Sequence, residues 1–220
     1  MKLAQRVCDI GRGGQTLMTQ HVFEHLHLGD KQLKQARMLC MGVHRSVPAI
    51  ADVPDTVLLY QLFHADLVAR LPEFRPLRFC EPLEISTVEA PVRRASIAFA
   101  YLVGMDTLLA WNRELASAAF DVFAAIASRL LLAAGGYLVE LTPSGLCLAA
   151  FQQPMQAICW GLCLLEEMKA AQWDDDLLDH GLCEEVVVGE GEGNQRVLFR
   201  GPRLKIGVDV GSVHADVSPV

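Results

Sequence analysis

The chain has no excess of positive charge: 19 lysines and arginines stand against 26 aspartates and glutamates in 220 residues, a formal net charge of −7. A surface of that sign does not neutralise a phosphate backbone, so nucleic acid is not an expected partner. There is no run of ~18 uncharged apolar residues of the kind that crosses a membrane. The best candidate, Leu115 to Ala134, is interrupted by Asp121 and Arg129. The opening Met1-Lys2-Leu3-Ala4-Gln5-Arg6 has no sustained apolar stretch followed by a small-residue cleavage site, so export is not expected and a cytoplasmic setting is. Cys-x-x-Cys pairs are missing too. The seven cysteines (8, 40, 80, 147, 159, 163 and 183) are odd in number and scattered, which suits small buried side chains in a reducing compartment. What is there, 52% hydrophobic and 20% charged residues, suffices for a real core and excludes whole-chain disorder.

The chain divides into two unlike halves. Pro72, Pro76, Pro82 and Pro91 punctuate a mixed-charge stretch that sustains neither a long helix nor a central strand, so residues 71–92 read as a linker. Before it, Leu3–Cys8 reads as a helix end stopped by Gly11-Arg12-Gly13-Gly14, and Gln15–Met18 as a short strand. Thr19 has the chemistry to cap a short helix to Leu26, and strands are expected at Ala36–Val43 and Thr56–Phe63. After the linker, Ser96–Val103 is a continuous apolar run that reads as a buried strand. Leu115, Ala119, Val122, Phe123, Ile126 and Leu130 give Arg113–Ala133 one apolar helical face, ended by Gly135-Gly136. Tyr137–Leu141 and Leu146–Phe151 read as a hairpin around Thr142-Pro143-Ser144-Gly145. Pro154 opens a helix, Met155–Ala170, apolar nearly all round and therefore expected to be buried on more than one side. Leu204–Val210 is a last strand. Strand, helix, hairpin, helix, strand is the α+β, ferredoxin-like βαββαβ order.

Three local patterns invite chemistry. His21-Val22-Phe23-Glu24-His25 fits His-x-x-Glu-His, in which two histidines bind zinc and the glutamate activates water, but the expected helix is barely two turns long. Cys159 and Cys163, four apart on a helix, share a face as two metal ligands do, with no His or further Cys pair nearby to complete four. Gly189-Glu190-Gly191-Glu192-Gly193 has the glycines of a phosphate cradle, yet its glutamates repel an anion and no Lys-Ser/Thr follows, so it reads as a solvated insertion. His44, His64, His180 and His214 form no ligand spacing and read as surface or satisfied-core residues.

Phe99-Ala100-Tyr101-Leu102-Val103-Gly104, Gly135-Gly136-Tyr137-Leu138-Val139-Glu140-Leu141-Thr142-Pro143-Ser144-Gly145-Leu146, the Pro154-Met155-Gln156-Ala157 helix start and Lys205-Ile206-Gly207-Val208-Asp209-Val210-Gly211 succeed one another in order. This succession resembles the opening of a class III nucleotide cyclase catalytic domain, the family that makes cyclic AMP or cyclic GMP from a nucleoside triphosphate. The first half resembles the end of the same domain: Lys2-Leu3-Ala4-Gln5-Arg6 matches its Asn-x-Ala-Ala-Arg helix, Gly14-Gln15-Thr16-Leu17-Met18-Thr19 the next strand, and Leu59-Tyr60-Gln61 its closing strand. The resemblance implies two incomplete segments in inverted order, residues 1–70 as the tail of one cyclase-like domain and 93–220 as the head of a second, with a circular permutation of one domain as the less favoured alternative.

The resemblance also implies a site. Cyclisation attacks the α-phosphate with the ribose 3′-hydroxyl and needs two divalent ions, Mg²⁺ or Mn²⁺. The family holds them with two aspartates, whose matching positions here are Tyr101 and Ser144. A phenol of pKa ~10 and a neutral hydroxyl do not replace hard anionic ligands, and Asp106 lies too far along to substitute. No metal is therefore expected to bind this chain alone. Glu140 matches the base-reading position, where a carboxylate accepts from guanine. Arg6 matches the arginine that stabilises phosphate charge, and Lys2 replaces an asparagine that orients the ribose. The expected partners are GTP or ATP in the intact parent protein, with another cyclase domain as dimer partner. The alternatives are a non-catalytic cyclase-like dimerisation or regulatory module and, less favoured, a zinc hydrolase through His21, Glu24 and His25.

Overall fold

The computed structural model describes residues 2–26, 35–49, 51, 53–189 and 195–213, which fall into two units, 2–90 and 91–213. In the first, α1 (Lys2–Ile10) buries Arg6, Val7 and Ile10 at helical spacing and ends where Gly11 N–H turns back to Val7 and Cys8 carbonyls. Strand β1 (Thr16–Thr19) runs into α2 (Gln20–Glu24), whose Val22 N–H donates to the capping Thr19 hydroxyl at 3.4 Å, the cap that the sequence predicts. Strands β2 (Ala36–Ser46) and β3 (Thr56–His64) form a long antiparallel pair with one bulge, where the register steps from Cys40↔Tyr60 to Gly42↔Leu59. The sheet order is β1-β3-β2-β4, all antiparallel.

Strand β4 is Cys80–Pro82, inside the stretch expected to be a linker. That stretch is built into the first unit as far as Ala90. A 3₁₀ helix, Ala65–Glu73, leads into it, Leu77 and Cys80 pack on Val7, Ile10 and Leu59, and β4 pairs with the edge of β2. Pro82 ends an edge strand, where a missing N–H breaks no interior ladder, so the prolines do not forbid folding here.

The second unit runs β5 (Arg93–Leu102), α3 (Met105–Trp111), α4 (Arg113–Ala133), β6 (Tyr137–Leu141), β7 (Leu146–Phe151), α5 (Pro154–Ala170), α6 (Asp175–Leu178), β8 (Val186–Val188), β9 (Arg196–Phe199) and β10 (Leu204–Val213). The main sheet order is β10-β5-β7-β6 with every pair antiparallel. With α4 crossing from β5 to β6 and α5 preceding the return to β10, this is the ferredoxin-like arrangement, and it holds all six of its elements. Strands β8 and β9 form a separate pair; residues 190–194, most of the glycine-glutamate stretch, lie outside the described residues, as does His214.

Both long helices pack on one face of this sheet. Helix α4 starts at Asn112, whose side chain accepts from Glu114 and Leu115 N–H at 3.1 and 3.2 Å, and buries Ala116, Ala119, Phe123, Ala127 and Leu131. It is long and apolar enough to cross a membrane by composition. Helix α5 buries Ala157, Trp160, Gly161, Leu164 and Met168, but Met155, Ile158 and Leu162 stay exposed. Expected burial on more than one side is thus corrected to one side, because α5 has the sheet and α4 beneath it and no further layer among the described residues.

Candidate functional site

Alternation along β5 sends Ser96, Ala98, Ala100 and Leu102 toward the helices and Ile97, Phe99 and Tyr101 to the opposite, uncovered face. The register carries that face across the sheet. Gly207, Phe99, Leu148 and Glu140 are successive cross-strand partners, and beside them Lys205, Tyr101 and Leu146 form a second row. Phe99 is 51% exposed, and Glu140 is exposed on the edge strand β6, next to a bulge between Leu138 and Glu140. An apolar centre is thereby flanked by a carboxylate at one edge and a lysine at the other.

The two positions matched to metal aspartates come together at one end of this sheet. Leu102 N–H donates to the Gly145 carbonyl at 3.0 Å, tying the end of β5 to the turn that carries Ser144. Gly145 makes the approach feasible: its φ is +94°, and a Cβ there would sit 2.8 Å from the Leu102 Cβ. The Ser144 hydroxyl is hydrogen-bonded to the Thr142 hydroxyl at 2.7 Å. Tyr101 is half-buried on β5, and Asp106 is exposed in the first turn of α3. Among the described residues no group of three or more His, Cys, Asp or Glu is placed to hold a metal. Two hydroxyl groups and a phenol do not fit the oxygen-rich anionic set that Mg²⁺ or Mn²⁺ takes, so no step through a metal is assigned to these residues.

In the first unit, Arg6 is 7% exposed. Its Nη2 donates to the carbonyls of Phe79 at 2.6 Å and Val47 at 3.0 Å, and the guanidinium lies 5.8 Å from the Phe79 ring centre. Lys2 is exposed at the start of α1. His21 stands on the five-residue α2 and His25 caps its C-terminal end, both exposed, with the His25 Nδ1 donating to the His21 carbonyl at 2.7 Å and Glu24 accepting from Gln20 at 2.8 Å. Cys159 and Cys163 are both exposed on α5, whereas burial pushes the Cys147 thiol up to about 12 and the Cys183 thiol up to about 11, which makes neither a nucleophile near neutral pH.

Sequence reasoning passed over Gln61 as a site residue and took His44 for a surface or satisfied-core histidine. Both are more than nine-tenths buried and line a cleft in the first unit. The signal for Gln61 was a lone polar residue at the inward-facing phase of an otherwise apolar strand.

No protein-family model and no curated protein matches the chain. Solved structures do. An adenylate cyclase from Trypanosoma brucei in its monomeric state is similar at 14% identity over 59% of this chain and 63% of its own, with a TM-score of 0.47. A second structure described in the same terms gives 17% identity, 54% and 56% coverage and a TM-score of 0.43. A bacterial light-regulated adenylyl cyclase gives 18% identity over 67% of this chain and 37% of its own, with a TM-score of 0.39. The chain thus spans less than two thirds of the length of each of these adenylyl cyclases.

Proposed function

We propose that this chain is part of a nucleotide cyclase system of intracellular signalling, and that its second unit is a cyclase-like domain without chemistry of its own, paired with a competent cyclase domain. The reading is supported by the hydrogen bond from Leu102 N–H to the Gly145 carbonyl, which sets the end of the strand that carries Tyr101 beside the turn that carries Ser144. Two sequence positions 43 residues apart, both matched to metal aspartates, share one place in the fold and carry neutral groups.

In this reading Glu140 recognises the base. Its carboxylate accepts from the guanine N1–H and amino group, a donor pair that adenine does not present, so GTP is favoured over ATP. Lys2 and Arg6 belong to the first unit, which corresponds to the tail of a cyclase domain. Arg6 serves a phosphate only if its Nη2 leaves the Phe79 and Val47 carbonyls, so in the arrangement described its work is structural. A second reading, a pairing module that binds no nucleotide, is favoured by the exposure of Phe99 at 51% on β5, whose other side is buried.

The test uses the whole chain with Mn²⁺ and GTP or ATP. The expected result is no cyclic nucleotide, GTP binding tighter than ATP binding, and loss of that preference in Glu140→Lys. Cyclic nucleotide formed by the chain alone overturns the degenerate assignment. No binding at millimolar nucleotide, with retained pairing to a cyclase domain in sedimentation, selects the module instead. The double substitution Tyr101→Asp with Ser144→Asp should create a Mn²⁺ site visible by paramagnetic resonance; a silent spectrum argues against the matched positions.

A further inference from the structure

The first unit contains a cleft of about 380 Å³ between the β2–β3 pair and residues 71–89. That volume lies in the range of small-molecule sites. Its walls are largely apolar, with Met41, Leu71, Phe74 and Leu77 prominent. Met41 is delivered to the cleft by the bulge, since it is the residue of β2 left without a cross-strand partner.

Two buried polar side chains line this cleft with hydrogen-bonding capacity to spare. Gln61 is 2% exposed, and its Oε1 accepts from Gln15 Nε2 at 3.0 Å, while its own Nε2, with two N–H donors, has no partner among the described residues. His44 is 7% exposed; its Nδ1 donates to the Gly42 carbonyl at 3.0 Å, which leaves Nε2 as an acceptor with no partner among the described residues. Burial lowers the His44 pKa below 6.5, so the imidazole is neutral near pH 7 and Nε2 keeps its lone pair. Both atoms thus keep hydrogen-bonding capacity for a molecule in the cleft.

Their spacing fixes the shape of what they hold. His44 is paired with Val57, and Gln61 lies four residues further along β3, so the two backbone positions are about 13 Å apart along the strands. One small polar edge does not reach both. Arg75, Glu84 and Glu89 also line the cleft, a net charge of −1 that disfavours an anion. We propose that this cleft binds an elongated, uncharged small molecule with an apolar body, a hydrogen-bond acceptor at the end held by Gln61 Nε2 and a donor at the end held by His44 Nε2. The site is independent of the cyclase reading, since it lies wholly in the first unit and uses none of Lys2, Arg6 or Glu140.

The test uses the whole chain and 4′-hydroxybiphenyl-4-carboxamide, compared with unsubstituted biphenyl and with 4′-hydroxybiphenyl-4-carboxylate, by saturation-transfer NMR. The expected result is saturable binding of the carboxamide, about tenfold tighter than the carboxylate and about a hundredfold tighter than biphenyl, which lacks both polar ends, at about tenfold per net hydrogen bond to a buried group. Cys80 lines the same cleft, so the carboxamide should slow its alkylation by iodoacetamide severalfold. Gln61→Met should weaken the carboxamide about tenfold and leave biphenyl unchanged. If that variant fails to fold, His44→Phe and Cys80 protection in the unaltered chain carry the test. Absence of saturable binding, equal affinity for the three compounds, or unprotected Cys80 overturns the proposal.

Discussion

The first unit gathers Val7, Ile10 and Leu59 into its apolar cluster and buries Arg6, His44, Ser46 and Gln61 among its elements, whereas the second gathers twenty apolar side chains and, among the described residues, buries one polar side chain, Ser96. Both are antiparallel sheets with helices, so the difference lies in what holds them. The second is held by apolar area between α4, α5 and the sheet, which weakens in proportion to the volume removed. The first depends on matched hydrogen bonds, such as those from Arg6 to the Phe79 and Val47 carbonyls, and unmatched groups there are costly. A polar interior also explains why the binding cleft belongs to the first unit: recognition of an uncharged molecule needs buried donors and acceptors, and the second core has almost none.

The comparison can be broken first at the second core. All three tryptophans, Trp111, Trp160 and Trp173, lie in the second unit, so tryptophan fluorescence reports its unfolding alone. Phe123→Ala removes a fully buried ring and should cost that unit about 3–5 kcal/mol, lowering the urea midpoint by fluorescence. The part of the circular dichroism transition due to the first unit should stay in place. Equal displacement of both signals would mean that the units unfold as one body and would erase the contrast.

A smaller effect is expected from Arg6→Leu. The carbonyls of Phe79 and Val47 lose a buried donor, for about 1–3 kcal/mol taken from the first unit. Circular dichroism should show the loss while tryptophan fluorescence does not move. A neutral outcome would show that area, not hydrogen bonding, holds the first unit as well.

The smallest effect is the pH dependence of His44. Its folded pKa is lowered by burial, with the Gly42 carbonyl and Glu89 opposing. Above 6.5 both folded and unfolded chains carry the neutral ring and stability is whole. As pH falls through 6.5 toward the folded value, the unfolded chain takes up the proton first and stability is lost. The first unit should therefore unfold at lower urea at pH 5.5 than at pH 7.5, and His44→Gln should reduce that difference. The same slope in the variant would remove His44 as its cause.

Much of the second unit was legible residue by residue. Gly135-Gly136 ends α4, and the Thr142–Gly145 turn separates β6 from β7, because helix stops and turns are local chemistry. Helix α3 was not legible: Met105–Trp111 is too short to be helical alone, and it holds by burying Met105 and Leu108. Strand β4 was read as linker because three residues between prolines carry no strand signal until β2 offers them an edge. At the candidate sites, the sequence marked Tyr101, Ser144 and Glu140 through the resemblance, but no local pattern joins Tyr101 to Ser144. Nor does one say that Arg6 spends its guanidinium on carbonyls 41 and 73 residues away.

By itself, then, the sequence determined where most helices and strands lie and the βαββαβ order, since periodicity, caps and turns act within a few residues of themselves. Only the tertiary structure decided that α5 leaves one apolar face uncovered, that residues 71–90 belong to the first unit, and that Gln61 and His44 face one cleft. Burial of a side chain is a property of what arrives from elsewhere in the chain, and neither composition nor spacing records the arrival.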